Sequence, residues 1–550
     1  MHLLKRSRRT TCFPALILLL GVGLGACGPG QQEGPPPADP QKPRQGGTMV
    51  AGYIADIEGV NYLGSSSSQS TTDILQRMFL TLMMEHADIQ NSPPTFSPQL
   101  AESYEWSDDH LQLTFHLRKD VFWSDGEPVT AEDVRWTWEA QRHPDVAWDN
   151  ATMKEAIYEV EVVDPHTVRY YFTHHYPGQM VHANEGGILP KHVWSKIPFA
   201  QWHSSSQWFL DHLVVDGPYT LERWTPQQEI VLKRNESYFE EGLPYIDRVV
   251  FRIIPDAAAQ MTQFLSGSLD YLRQVPASRA REVLDNPQTK MVSYWPIQWN
   301  MVIWNLRRPM FQDVRVRRAL TLAIDRQAIV DTLWYGYAQV TASPLITSVW
   351  GHNPNIKPLP YDLEEARRLL TEAGWVDRDG DGIRERDGVR FSFELATNAG
   401  NQERIDAAVM IQENLRKAGI EVKPRVLEWN TMGNLTVAGD FQAVIIALSI
   451  ETSLDLTAYY HTDSIGTELN FGAYSNAEVD RLLEECRQQA DLEQTRPYLY
   501  QIQEILHEDQ PQTVLWEAQR LIGLSDRVQG AVPNSISSLY DLHLWWLSSP

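Results

Sequence analysis

Only three cysteines stand among the 550 residues, at positions 12, 27 and 486. A disulfide framework is excluded, so the fold must rely on large apolar cores. Positive charge is scarce too. Lys and Arg total 47 against 71 Asp and Glu, a net charge of −24. So acidic a chain repels a phosphate backbone, and no basic patch lies beyond the extreme N-terminus. Nucleic acid is therefore not expected as a partner. The apolar stretch 13–24 is too short to cross a ~30 Å hydrocarbon core. Enzyme signatures are missing as well: there is no G-x-S-x-G elbow, no H-E-x-x-H and no phosphate-cradling glycine loop. Two carboxylates of a glycosidase leave little trace in sequence, so a secreted hydrolase stays open. No internal repeat is found.

What is present is 43% hydrophobic and 10% aromatic residues, with 19 tryptophans. That composition builds real cores, and the length predicts roughly three or four domains. Lys5, Arg6, Arg8 and Arg9 precede the apolar stretch, the pattern of an export signal. It ends at Leu24-Gly25-Ala26-Cys27, which resembles a bacterial lipobox with Cys27 as the acylated residue. Residues 1–26 therefore read as a signal peptide. Residues 27–47, rich in Pro, Gly and Gln, read as the lipidated cysteine and a flexible tether. The expected location is the periplasmic or extracellular face of a membrane. Cys486, on the helical pattern Val479, Leu482, Leu483, is expected to be an unpaired packing residue.

Downstream, 48–54 looks like a strand, 64–68 is a Ser-rich loop and 72–84 is expected to be a helix. In 111–117 (LQLTFHL) apolar residues recur every second position, the period of a half-buried strand. Trp123-Ser-Asp-Gly126 reads as a turn, and Thr130 as the N-cap of a helix with Glu132 and Asp133 in its first turn. Helices and strands alternate to the end, which predicts an α/β or mixed fold.

Several motifs then stand in one order. They include LAESYEWSDD at 100–109, FHLR at 115–118, ILPKHVW at 188–194 and GPY at 217–219. VLKRN at 231–235, IIPDA at 253–257, DVRVRRAL at 313–320, AIDR at 323–326 and FGAYSN at 471–476 follow. This succession resembles the family 5 extracellular solute-binding proteins, the dipeptide- and oligopeptide-binding proteins of ABC transporters. The resemblance spans about 46–545. It implies an α/β type II periplasmic-binding-protein fold, with two hinged lobes closing on ligand and a third domain appended. Lobe one would be assembled from 48–80, 207–297 and 517–550, the extra domain from 81–206 and lobe two from 298–516. The expected function is a lipid-anchored binding component delivering peptides to an ABC permease. It would act as a monomer, with no catalytic residue and no cofactor. An oligosaccharide ligand is the alternative within the family, suited to the tryptophan count.

The resemblance also implies site residues. Counted from Glu428-Trp429, the family's carboxylate for a ligand ammonium falls on Glu451, with Asp455 as a fallback. The usual Gly-Trp before it is Ala447-Leu448 here. Trp429 would wall the side-chain pockets. Ser67, Ser68 and Gln69 would bond an extended peptide backbone from lobe one. Trp516, on the strand returning to lobe one, is a further candidate. Separately, Asp377, Asp379 and Asp381 imitate the first half of a calcium loop, but position 12 is Gly388, so a hairpin turn is the expected structure. The histidines 174, 175, 182 and 192 lack the spacing of a transition-metal site.

Overall fold

A computed structural model describes residues 42–64 and 68–548. The signal segment, Cys27, residues 28–41 of the tether and Ser67 lie outside the described residues.

The strand Thr48–Tyr53 buries Met49, Ala51 and Tyr53 and lies within a seven-stranded sheet. It pairs in parallel with Arg248–Ile253 on one side and Tyr271–Leu272 on the other. Glu229–Arg234 and Tyr219–Thr225 extend the first side, while Arg520–Ser525 and Thr289–Tyr294 extend the second. Strands from the beginning, middle and end of the chain thus share one sheet. Two charged contacts tie these segments. Asp73 receives Arg273 at 2.7 Å and Ser538 at 3.1 Å. Asp270 receives Arg527 through two bonds of 2.6 Å.

A four-stranded antiparallel sheet follows in the order Ala101–Trp106, Gln112–Leu117, Thr167–Phe172, Ile157–Asp164. The alternation seen in sequence buries Leu113, Phe115 and Leu117. Thr130 and Asp133 form a capping box at the start of the helix Ala131–Arg142, which covers this sheet.

The six-stranded sheet runs Ala338–Gln339, Gln512–Ala518, Gln298–Trp304, Ala443–Ser449, Ser392–Asn398, Glu421–Leu427. Its last two strands are parallel and joined by the helix Gln402–Lys417, the crossover that a parallel pair requires. The chain passes between the two large sheets twice, from Tyr294 to Gln298 and from Ala518 to Arg520. Two short connections of this kind permit a hinge motion.

Two expectations are corrected. The helix expected over 72–84 spans only Gln69–Leu75. Beyond it, distant segments claim the backbone: Tyr219 N–H bonds to Arg77 O, Gly217 N–H to Met78 O and Ile188 N–H to Leu80 O. The approach at Met78 demands glycine, since a Cβ on Gly217 would lie 2.6 Å from the Met78 carbonyl carbon. Trp516 belongs to the six-stranded sheet, opposite Asn300, and not to a strand of lobe one. It is 1% exposed in that core, and the return to the seven-stranded sheet begins at Arg520.

Nine tryptophans, Trp516 among them, are at most 2% exposed, so the aromatic excess is chiefly core. Cys486 is unpaired and buried, and burial pushes its thiol up to about 12. Among the described residues no helix is long and apolar enough to cross a membrane.

Candidate functional site

Glu451 lies just past the buried strand Ala443–Ser449, in a loop facing the 81–206 segment. Its Oε1 meets His182 Nε2 at 3.1 Å and accepts the Ser453 hydroxyl at 2.5 Å. Its Oε2 is buried with no hydrogen-bond partner among the described residues. Burial pushes this carboxyl up, but the charge and hydrogen bond of His182 and the Ser453 hydroxyl outweigh it and hold it below the usual value. Glu451 is therefore an ionised carboxylate with one satisfied and one unsatisfied oxygen. Such an oxygen is a standing cost and a standing acceptor.

His182 sits on the short helix Gln179–Asn184. The helix is closed by the ammonium of Lys154, a residue 1% exposed, which bonds to the carbonyls of His182, Ala183 and Glu185. Burial pushes Lys154 down to about 7, with Glu185 acting in the opposite sense. The two parts of the chain meet again where Trp350 N–H bonds to Ile89 O at 2.7 Å. Neither His182 nor Lys154 was marked by sequence reasoning for this role, because the partner of His182 lies 269 residues away.

Glu85 is an acid that the sequence does not mark. It lines a cavity of about 160 Å³ together with Tyr62, Arg77, Glu185, Tyr540 and Asp541. Its Oε1 is buried without a partner, and burial pushes its pKa up to about 7. A Thr452 hydrogen bond opposes the shift, while Glu185 and Glu451 add to it. A carboxyl whose folded pKa lies above its unfolded value binds its proton better when folded. Its contribution is present below the unfolded value and is lost as pH rises toward about 7. In thermal melts between about pH 5 and about pH 8, Glu85→Gln is expected to flatten the fall of the midpoint. An unchanged slope would contradict a buried, neutral Glu85.

The remaining candidates divide. Asp455 accepts Thr457 N–H at 2.9 Å and faces Arg487 at 3.6 Å, beside the pocket that also holds Tyr176 and His182. Trp429 is 53% exposed at the start of the helix Trp429–Val437, with Glu428 as N-cap, so it is not a core residue. Ser68 caps the helix Gln69–Leu75 through Thr71 N–H, and Gln69 bonds to Asp73 at 3.0 Å. The structure does not bring Trp516 to a surface. In the acidic loop the carboxylates that converge are Asp377, Asp379 and Glu385. Asp381 turns instead to Arg390. Asp377 accepts Gly380 N–H at 2.8 Å and Gly382 N–H at 3.0 Å, and Asp387-Gly388 turns the chain with positive φ at both residues. The acidic loop is closed by the Val376–Glu385 bridge, and the two-residue reversal at Asp387-Gly388 is a second turn, joining Glu385–Arg386 to Val389–Arg390.

Comparison with known proteins agrees with this architecture. Residues 95–468 match the bacterial extracellular solute-binding proteins, family 5 middle. The oligopeptide-binding protein AppA of Bacillus subtilis is 31% identical over 553 residues, covering 99% of this chain and 100% of that protein. The structure of that protein in complex with a nonapeptide superposes with a TM-score of 0.80, covering 92% of this chain and 100% of the other. Heme-binding protein A of Haemophilus influenzae is 26% identical over 86% of each chain. With two hinged lobes, an appended domain and a family match over most of its length, the chain belongs to the bacterial extracellular solute-binding proteins of family 5, which are binding proteins and not enzymes.

Proposed function

We propose that this chain is the lipid-anchored capture component of an ABC importer, closing on peptides between its lobes and delivering them to the permease. The observation that carries the reading is Glu451, held ionised at the meeting of lobe two with the extra domain, one oxygen unpartnered. A peptide α-ammonium supplies the missing donor through a charge-assisted bond. Because such a ligand contacts both sides only when they meet, it favours the closed state. The name of the Bacillus subtilis relative and its nonapeptide complex support the same ligand class.

Within this reading Ser67, Ser68 and Gln69 bond the peptide backbone from lobe one, Trp429 offers a rigid wall to varied side chains and Asp455 backs Glu451. Cys27 carries the lipid, and the segment from 28 to 43 tethers the body at the periplasmic or extracellular face, shorter than expected because Arg44, Gln45, Gly46 and Gly47 are bonded to the body. The domain limits are those expected from sequence, except that lobe two runs on through Ala518. An oligosaccharide ligand loses its main support, since so many tryptophans are core residues.

Native mass spectrometry of the purified protein, followed by thermal-shift titration, tests the reading. Retained cargo with peptide masses is expected, and short peptides at about 100 times Kd should add about 2.7 kcal/mol of stability. Stabilisation by oligosaccharides with none by peptides overturns it.

A further inference from the structure

We infer that His182 determines which cationic group Glu451 accepts: it restricts the seat to a primary ammonium and disfavours a guanidinium. The inference rests on the peptide-capture reading and deepens it.

The two oxygens of Glu451 have different duties. Oε1 has both lone pairs engaged, by His182 Nε2 at 3.1 Å and Ser453 Oγ at 2.5 Å, and Oε2 has no partner. A guanidinium binds a carboxylate best as a fork, two parallel N–H donors on two oxygens. With Oε1 filled the fork cannot form. An ammonium is a compact point charge with rotatable donors, and one oxygen suffices for it.

His182 is held in this post from several sides. Its Nδ1 shares a hydrogen bond of 3.0 Å with the Tyr176 hydroxyl, and the two rings lie 5.2 Å apart. Lys154 closes its helix from below. At the N-cap of that helix, a Cβ on Gly178 would lie 3.5 Å from Ser453 Cβ, so the helix and the Glu451 loop are in close contact. Glu85, close enough to Glu451 to shift with it, has a buried Oε1 without a partner; the other charged groups nearby are engaged elsewhere. Asp455 faces Arg487, Glu185 accepts from Asn150, and Lys154 is directed at backbone carbonyls. His182 and Ser453 are thus the donors that decide how much of the carboxylate a ligand can reach.

The test uses the full mature chain and an Ala/Ser/Val nonapeptide in three forms: free α-amine, N-acetylated, and carrying an N-terminal amidino group. The parent is expected to bind the free amine about tenfold more tightly than the amidino form. His182→Ala, which frees one lone pair of Oε1, should shrink that preference to about threefold or reverse it. His182→Gln can still donate to Oε1 and should keep the parent's preference. A role confined to folding would move both affinities together. An unchanged preference in His182→Ala overturns the inference and leaves peptide capture standing. Should that variant not fold, Ser453→Ala frees the other lone pair and must narrow the preference in the same direction, or the inference fails. If the N-acetylated form binds the parent as tightly as the free amine, the seat is not an ammonium site and the inference falls alone. If no form binds, peptide capture falls with it.

Discussion

Glu451→Ala is expected to weaken binding of a free-amine peptide by about thirtyfold or more, the consequence of removing one partner from a desolvated charge pair. The same substitution should also lower the thermal midpoint of the empty protein at neutral pH, because it removes the carboxylate that His182 and Ser453 bond. Those partners hold the carboxyl below its usual pKa, so this loss should fade as the pH falls. A double-mutant cycle separates amine recognition from general damage. N-acetylation should cost the parent heavily and the variant little, because both changes delete one interaction. Additive losses, measured by isothermal titration, would place the ammonium elsewhere and remove Glu451 from the site.

The parts of this molecule that were legible in sequence are those where the physics is local. The alternation at 111–117 has one face on the core, so period two was visible. The Thr130 cap was visible because a hydroxyl three residues before an acid satisfies orphan N–H groups within one turn. The overrun beyond Leu75 has the opposite cause. Gly217, Tyr219, Ile188 and Asp216 compete for the backbone of 77–80 from more than a hundred residues away, and no local signal announces them. The site shows the same division. The Glu451 candidate comes from the family resemblance, counted without gaps from Glu428-Trp429 across the helix Trp429–Val437 and the strand Ala443–Ser449. No such count marks His182, because a histidine becomes a carboxylate partner only once two domains meet. Trp516 was misplaced for a related reason: two strands separated by Gln519 alone lie in different sheets, and nothing in their composition marks the crossing. In the acidic loop the spacing of Asp381 imitates a calcium ligand, yet a hairpin is expected there, and Arg390 claims its carboxylate.

The assembly of the seven-stranded sheet from three separate segments yields the second large expected effect. Asp73 is 1% exposed and accepts from Gln69 at 3.0 Å, Tyr53 at 3.2 Å, Arg273 at 2.7 Å and Ser538 at 3.1 Å. These donors come from the first, middle and last segments of the chain that share the seven-stranded sheet. Asp73→Leu therefore unties three segments at once and leaves the mostly buried Arg273 without its carboxylate. A loss of about 3–5 kcal/mol is expected. Arg520 enlarges it. Burial lowers its pKa, and Arg273 lowers it further, so removing Asp73 exposes two neighbouring cations to one another. That argument fixes the outcome of the rescue experiment. Arg273→Met in the Asp73→Leu background removes both the orphaned charge and the repulsion, and should recover most of the lost stability, as paired apolar replacements of buried ions do. Urea unfolding midpoints of the two single variants and the double variant measure the coupling. A single-variant loss below about 1 kcal/mol, the level of an exposed ion pair, would contradict the role assigned to Asp73. So would a double variant no better than the singles, because the cost would then lie in packing and not in an uncompensated charge.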